Sequence, residues 1–477
     1  FSDVFKEKGG FDVVIANPPY VGEKGNKDIF QPIAKGNLGK YYQGKMDLFY
    51  FFFHLALDLG RKNTQNAFIT TNYYITALGA RKLRADLKER SSIRNLINFN
   101  ELKIFESALG QHNMITIFSK GQDDEIKVKT CTTKRTGTAN DEVLNAIVSA
   151  KDKETDYFNL NQKFLYDGDE NYIRPAGVGN SDNLIENILE KIKVQGDELT
   201  NMCDINNGVH TQADYLTNKK FPDRNDSSAV LGSGIYVLDE SFSEDNDYLK
   251  IIKQGLEKEY LKPFFKNSDV NRYFSKKTTT KKLIYLNKRI HNIDALPNIK
   301  SHLKRFEDII EKASDNAPYL HRPKTIPWTG SKIICPQRSK TNTFGYNEIP
   351  WYASADIYFI TAKEGFDIEL KYILALLNSK LYYQWLYYRG KRKGEMLELY
   401  QKPLSEIPIK KISFEDQKPF INFVNQILEI TSAPDYNPKN PPIKQKELEK
   451  KIDELVYNLY DLTEEEIKIV ENSSKNN

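Results

Sequence analysis

The chain has 477 residues, a formal net charge of +4 and 39% apolar residues, enough for two or three domains with ordinary cores. No run approaches the ~18–20 apolar residues that a membrane-spanning helix needs, and no signal peptide is legible. Three widely spaced cysteines (Cys131, Cys203, Cys335) form neither a disulfide framework nor a metal-ligand spacing, so the expectation is a cytoplasmic protein with no membrane contact and no bound metal.

"FDVVIA" (residues 11–16) reads as a strand that runs straight into Asn17-Pro18-Pro19-Tyr20. Proline lacks the N–H for a ladder and pushes the preceding residue out of helical space, so the strand stops at Asn17. Asn17 and Tyr20 then sit at the carboxyl end of a strand, where open α/β sheets bind ligands. "KMDLFYFFFHLALDLG" (45–60) is apolar nearly all round and ends on glycine, which reads as a buried helix. "NAFITTNYYI" (66–75) is a strand and "RKLRADLKER" (81–90) an amphipathic helix. "IRNLINF" (93–99) and "NMITIFSK" (113–120) are further strands flanking a polar loop with Gly110. This order is that of the back half of a doubly wound α/β sheet. Because residue 1 is Phe and the chain opens just before a core strand, it reads as the later part of a longer protein.

Residues 121–182 turn polar, with one strand ("EIKVKTC") and one short helix, and read as a connector. From 183 to 412 the pattern becomes mixed α/β, with helices at "NLIENILEKIK", "LPNIKSHLKRFEDIIEKA" and "LKYILALLNSKLYYQWLYY". Residues 413–477 read as C-terminal helices around a Pro/Asn linker, with Thr463 and Glu466 spaced as a capping box. Between Lys262 and Lys340 there are 18 Lys or Arg against 6 Asp or Glu, and after Ser413 the balance reverses to 8 against 13. A basic middle segment with interleaved aromatics suits a polyanionic partner.

The Asn-Pro-Pro-Tyr segment carries its own chemistry. The Asn17 side-chain oxygen and the Pro18 carbonyl, the latter stiffened by Pro19, are two acceptors suited to a planar NH₂ group with two hydrogens. They would draw the nitrogen lone pair out of conjugation and aim it at an electrophile, while Tyr20 supplies a flat apolar face. An exocyclic amine on a base, or a carboxamide, fits such a pocket without an acid, base or metal.

Asn-Pro-Pro-Tyr after an apolar strand resembles the catalytic motif of amino-group methyltransferases that use S-adenosylmethionine. "KMDLFYFFF" and "IFESALGQHNMITIFSK" resemble the next landmarks of adenine-specific (N6) DNA methyltransferases of the TaqI-like class, as found in type IIG restriction–modification enzymes. The resemblance implies α/β architecture: the C-terminal half of a Rossmann-like methyltransferase domain (1–120), a connector (121–182), a target recognition domain (183–412) and a helical tail (413–477). It implies Asn17, Pro18, Tyr20 and Phe105 as catalytic residues, with Pro19, Asp47 and Phe52 beside the cofactor. A flipped adenine between Tyr20 and Phe105 would gain ~1–3 kcal/mol per stack. "NMCDINNGVHTQADYL", "EKEYLKPFFKNSDVNRYF" and "LSEIPI" resemble recognition-domain landmarks, so the implied partner is double-stranded DNA.

The glycine-rich loop and acidic residue that hold the cofactor in this class precede Asn-Pro-Pro-Tyr and are expected in a missing N-terminal part, along with any nuclease. The 477 residues alone are therefore expected to be inactive. "YYRGKRKGE" (387–395) offers Arg389, Lys391, Arg392 and Lys393 to phosphates. These are expected, with the basic segment, to line a cleft opposite Asn17, Tyr20 and Phe105. Gln337 and Arg338 in "CPQRSK" are of the right type for adenine and guanine edges. His112 reads as a solvent-facing turn residue. Two alternatives stay open: a DNA-specificity module without activity, or a protein-glutamine N5 methyltransferase, since a carboxamide presents the same NH₂.

Overall fold

The computed structural model describes residues 2–105, 111–179, 184–211, 213–218, 229–287, 292–313, 318–320 and 328–473. Its contacts divide the chain into two units, one of residues 1–191 plus 387–396 and one of 192–386 plus 397–477.

The first unit is built on a six-stranded mixed sheet. Its elements in chain order are β1 (Phe11–Ala16), α1 (Phe49–Leu59), β2 (Gly60–Thr71), α2 (Arg81–Arg90), β3 (Ser91–Asn98), β4 (Asn113–Lys120), β5 (Lys127–Thr133), α3 (Asp141–Val148) and β6 (Thr155–Asn161). The strands lie in the order β1-β2-β4-β3-β5-β6. β1 runs parallel to β2 and β3 parallel to β5, whereas β4 inserts antiparallel between β2 and β3. Antiparallel β4 starts where its neighbours end. Asn17, Asn72, Asn98 and Asn113 consequently meet at one edge of the sheet.

The aromatic run of α1 forms a helix because most of its circumference finds a core, with only the Phe52–Leu55–Leu59 side and Asp58 left open to solvent. Phe49, Tyr50, Phe51, Phe53, His54, Ala56 and Leu57 are all buried, and the Phe53 ring lies 4.8 Å from Phe68 and 5.4 Å from Phe118, centroid to centroid. On the opposite face, Ile147 of α3 is buried with Ile97, Phe99, Leu102 and Cys131. The Asn140 side chain caps α3 by accepting from the Val143 N–H at 2.9 Å. The segment 121–182 is therefore no connector, because β5 and β6 complete the sheet and α3 covers it. Its polar residues misled because an outer strand keeps one solvated side. β1 is the other outer strand, and Val13 (56% exposed) and Ile15 (78%) leave its far face bare.

The second unit contains two four-stranded sheets. One orders Cys203–Asn207, Ile357–Ala362, Lys332–Pro336 and Gly345–Asn347; the other orders Val237–Asp239, Lys281–Ile284, Leu261–Phe265 and Tyr352–Ala353. The C-terminal helices do not stand apart as a separate segment. Phe414–Thr431 packs on Leu370–Asn378 and on Ile443–Leu459. The stretch read as one helix over 370–388 is two, Leu370–Asn378 and Lys380–Tyr388. The break falls at Ser379, where the buried Asn342 amide donates to the carbonyls of Leu377 (2.7 Å) and Ser379 (2.8 Å). The capping box forms: the Thr463 N–H donates to Glu466 at 2.7 Å, and the Glu466 N–H donates to the Thr463 hydroxyl at 3.3 Å.

Asp453, on Ile443–Leu459, is 4% exposed and accepts the Lys380 N–H at 2.8 Å. Burial raises its carboxyl to about 6. A raised carboxyl in the folded state binds its proton more tightly than in the unfolded chain, so its contribution is fully present below about pH 4 and is lost as pH rises through 6. Asp453→Asn is expected to match the native protein near pH 4 in denaturant titrations and to exceed it by about 3 kcal/mol at pH 8. An equal difference at both pH values would show that Asp453 ionises normally.

Candidate active site

The Asn-Pro-Pro-Tyr segment leaves β1 as irregular backbone, with Asn17 and Pro19 exposed, Pro18 buried and Tyr20 half-buried. The Tyr20 hydroxyl reaches the Asn17 Oδ1 at 2.8 Å and the Ile69 carbonyl at 3.0 Å. It has one proton to share between them. The Tyr20 ring meets Phe49 of α1 edge-on at 6.1 Å. Burial raises the phenol from its ordinary value, and the Asn113 amide opposes that rise, so Tyr20 stays a neutral donor at physiological pH.

The second stretch of the motif resemblance, Met46-Asp47-Leu48, is drawn to this loop by the backbone. Glu23 N–H donates to the Met46 carbonyl and Leu48 N–H to the Val21 carbonyl, both at 2.8 Å. Asp47 thereby bridges to Gly22. Burial raises the Asp47 carboxyl, opposed by the Tyr50 hydroxyl. Phe52 is half-buried and packs on the same core as α1. Phe105 is half-buried in the turn region after β3; the residues that follow it in the expected loop, 106–110, lie outside the described residues.

Sequence reasoning missed an amide chain along the carboxyl edge. The Asn72 Nδ2 donates to Asn98 Oδ1 at 2.9 Å, and the Asn100 N–H donates to the same oxygen at 3.1 Å. Asn100 turns the chain with a left-handed φ of 50°, a conformation asparagine tolerates better than most residues. His112 is not solvent-facing: it is 6% exposed, and its Nδ1 donates to the Asn100 carbonyl at 2.9 Å. The Asn72 N–H in turn donates to the His112 carbonyl at 2.8 Å. The available signal was asparagine closing two strand patterns, "TTN" and "NFN", and opening the antiparallel one at "HN".

Residues 1–105 match the Eco57I restriction-modification methylase family, and residues 246–409 match the TaqI-like C-terminal specificity domain. Neither match reaches half of the chain; in chain order they mark a restriction-modification methylase domain followed by a TaqI-like specificity domain. Among curated proteins, type II methyltransferases M.HindII and M.HincII from Haemophilus influenzae are each 25% identical, covering 86% of this chain and 76% of their own lengths. The structure of the type IIL restriction-modification enzyme MmeI in complex with DNA matches 97% of this chain at TM-score 0.61 and 16% identity. That likeness is one of fold, and the chain spans 56% of the MmeI chain.

Within the chain, the specificity match and the structural division disagree over residues 387–396, which lie inside the matched domain yet fold with the first unit. The basic cluster therefore shares a unit with Asn17. Arg389 leaves the phosphate set altogether. It is 6% exposed, paired with Glu186, and near the Gly177 carbonyl at 3.4 Å. Lys391, Arg392 and Lys393 are half-buried, with Arg392 stacked 3.7 Å from the Tyr387 centroid and Lys393 at 5.8 Å from Tyr73.

In the specificity domain Arg338 is exposed, but its guanidinium is already engaged by Glu398 (3.1 Å) and the Tyr400 hydroxyl (2.8 Å). Gln337 is half-buried and its backbone is bound on both sides, by Asp356 and Leu399. The basic excess read along the sequence also shrinks in space. Arg272 pairs with Glu449 at 2.7 Å, Lys282 with Glu240 at 3.8 Å, Lys281 with Asp239 and Arg305 with Glu244. All four acids lie outside the basic segment. Among the described residues no cluster of His, Cys, Asp and Glu is arranged to hold a metal ion.

Proposed function

We propose that this methylase transfers a methyl group to the N6 amine of adenine in double-stranded DNA, with the target base flipped into the Asn17–Tyr20 site. The carrying observation is the pairing of an exposed Asn17 with a Tyr20 hydroxyl that holds it from one side. The Asn17 oxygen has a second lone pair, and with the Pro18 carbonyl it would accept both hydrogens of the amine. That leaves the amine's own lone pair pointing away from the loop. With the methyl group taken from a sulfonium that departs as a neutral thioether, the nitrogen would shed one proton to solvent, so no general base is needed in the pocket. Tyr20 and Phe105 would stack on the two faces of the adenine and offset the cost of unpairing it.

The residues present fit one end of S-adenosylmethionine: Pro19 is exposed on the loop, Asp47 is bridged to Gly22 beside it, and the Phe52 ring is half-buried. Pro19, Asp47 and Phe52 would hold it, and it would supply the methyl group as a positively charged sulfonium. The TaqI-like match over residues 246–409 favours DNA over a protein glutamine as the methyl acceptor.

The test is incubation of the full-length protein with unmethylated genomic DNA and tritiated S-adenosylmethionine, followed by digestion to nucleosides. Label in N6-methyl-2′-deoxyadenosine is expected; label in a deoxycytidine derivative or in protein would overturn the reading. Lys391 and Lys393 are the cations expected to meet phosphates. Changing both to Ala is expected to flatten the log–log dependence of DNA affinity on salt by about one to two units, because each phosphate contact contributes about 0.9. An unchanged slope would place both lysines away from DNA.

A further inference from the structure

Residues 387–396 leave the second unit in the chain, lie down in the first, and return. Their anchors are specific. Arg389 is held by Glu186, whose other carboxylate oxygen accepts the Gly179 N–H at 2.6 Å, and Arg174 donates to the Gly390 carbonyl at 3.2 Å. At the far end Glu395 accepts the Asn100 side-chain amide, and the Glu395 N–H donates to Glu101 at 3.0 Å. Gly394 has φ +59 and is pressed so close that any side chain there would strike the Glu101 carboxylate and the His112 ring. Asn100 thus has its N–H bound by Asn98, its carbonyl by His112 and its side chain by Glu395. The His112 carbonyl accepts the Asn72 N–H at 2.8 Å at the end of β2, the strand whose Ile69 carbonyl accepts the Tyr20 hydroxyl at 3.0 Å.

We propose that Tyr387–Met396 is a positioning strap for the target-base pocket, with Glu395 and Gly394 as positioning residues. The strap pins the left-handed turn at Asn100. One arm from that turn leads on to Phe105, and the other passes through His112 to Asn72 and along β2 to Ile69, which holds the Tyr20 hydroxyl. A segment of the specificity domain thereby sets both surfaces on which the base is to stack. The proposal rests on the reading that Tyr20 and Phe105 hold the base.

Two measurements test it. In hydrogen–deuterium exchange on this chain, Glu395→Ala is expected to speed exchange of peptides covering 99–105 and 111–113 by about tenfold or more, while Glu395→Gln, which keeps the amide-accepting oxygen, stays native. In the full-length protein with genomic DNA, Glu395→Ala is expected to lower kcat about 10- to 100-fold, as a misplacement of about 1 Å does, with KM for DNA held within about threefold. Glu395→Gln should restore kcat. Gly394→Ala removes no hydrogen-bonding group and should reproduce the loss.

Native exchange and native kcat in both Glu395→Ala and Gly394→Ala would overturn the strap, as would a loss confined to KM. Asn17→Ala, run alongside, separates the two ideas. Full transfer by that variant condemns the reading of the site, whereas a dead Asn17→Ala beside an active Glu395→Ala condemns the strap alone.

Discussion

Asn17→Ala is expected to lower methyl transfer by the full-length protein about a hundred- to a thousandfold, the scale seen when one preorganised hydrogen-bonding group is removed from a site of developing charge. The physical reason is that the amine's lone pair is available only while both of its hydrogens are held. Without the Asn17 oxygen the Pro18 carbonyl holds one hydrogen, and the nitrogen stays conjugated with the ring. DNA affinity should change little, because Asn17 contributes neither charge nor stacking surface. Tyr20 loses one of two acceptors and keeps the Ile69 carbonyl at 3.0 Å, so the loop should remain in place. Single-turnover rates and gel-shift affinities on the same preparation check this. A variant that binds DNA tenfold more weakly and turns over normally once saturated would mean that Asn17 binds the substrate and does not activate it.

The second large effect concerns stability. Arg389 and Glu186 are 6% and 1% exposed and pair with each other, and burial already pushes the Glu186 carboxyl up despite its partner. Removing one member leaves a desolvated charge with nothing opposite it. Arg389→Ala is therefore expected to cost about 3–5 kcal/mol, read as a lowered denaturant midpoint of the first unit. Replacing both, Arg389→Met with Glu186→Leu, should recover most of that loss, because an apolar pair of similar volume avoids the desolvation penalty. If Arg389 instead met phosphate as the sequence pattern suggested, Arg389→Ala would leave the midpoint unchanged and reduce the salt dependence of DNA binding. The two outcomes are mutually exclusive.

Much of this protein was legible in local chemistry. The strand ending at Asn17, the apolar helix over Phe49–Leu59, the strand cores at residues 66–71, 93–98 and 113–120, and the Thr463–Glu466 capping box each rest on rules that act within a few residues. Proline geometry, apolar periodicity and side-chain capping need no distant partner, so the sequence alone determined them. The methylase match over residues 1–105 was also legible at this level, because Asn-Pro-Pro-Tyr and "KMDLFYFFF" are short local motifs.

What only tertiary structure decided were pairings between residues far apart in the chain. The antiparallel insertion of Asn113–Lys120 between its neighbours gathers Asn72, Asn98, Asn100 and His112 into one buried network, although up to 40 residues separate their positions. The polar stretch 121–182 became sheet because an outer strand tolerates water on one side. Arg389 stood among exposed-looking cations, yet Glu186, 203 positions earlier, buried it. A charge pattern counts like charges along the chain, but whether a cation reaches a phosphate is settled by the acid that folding brings beside it.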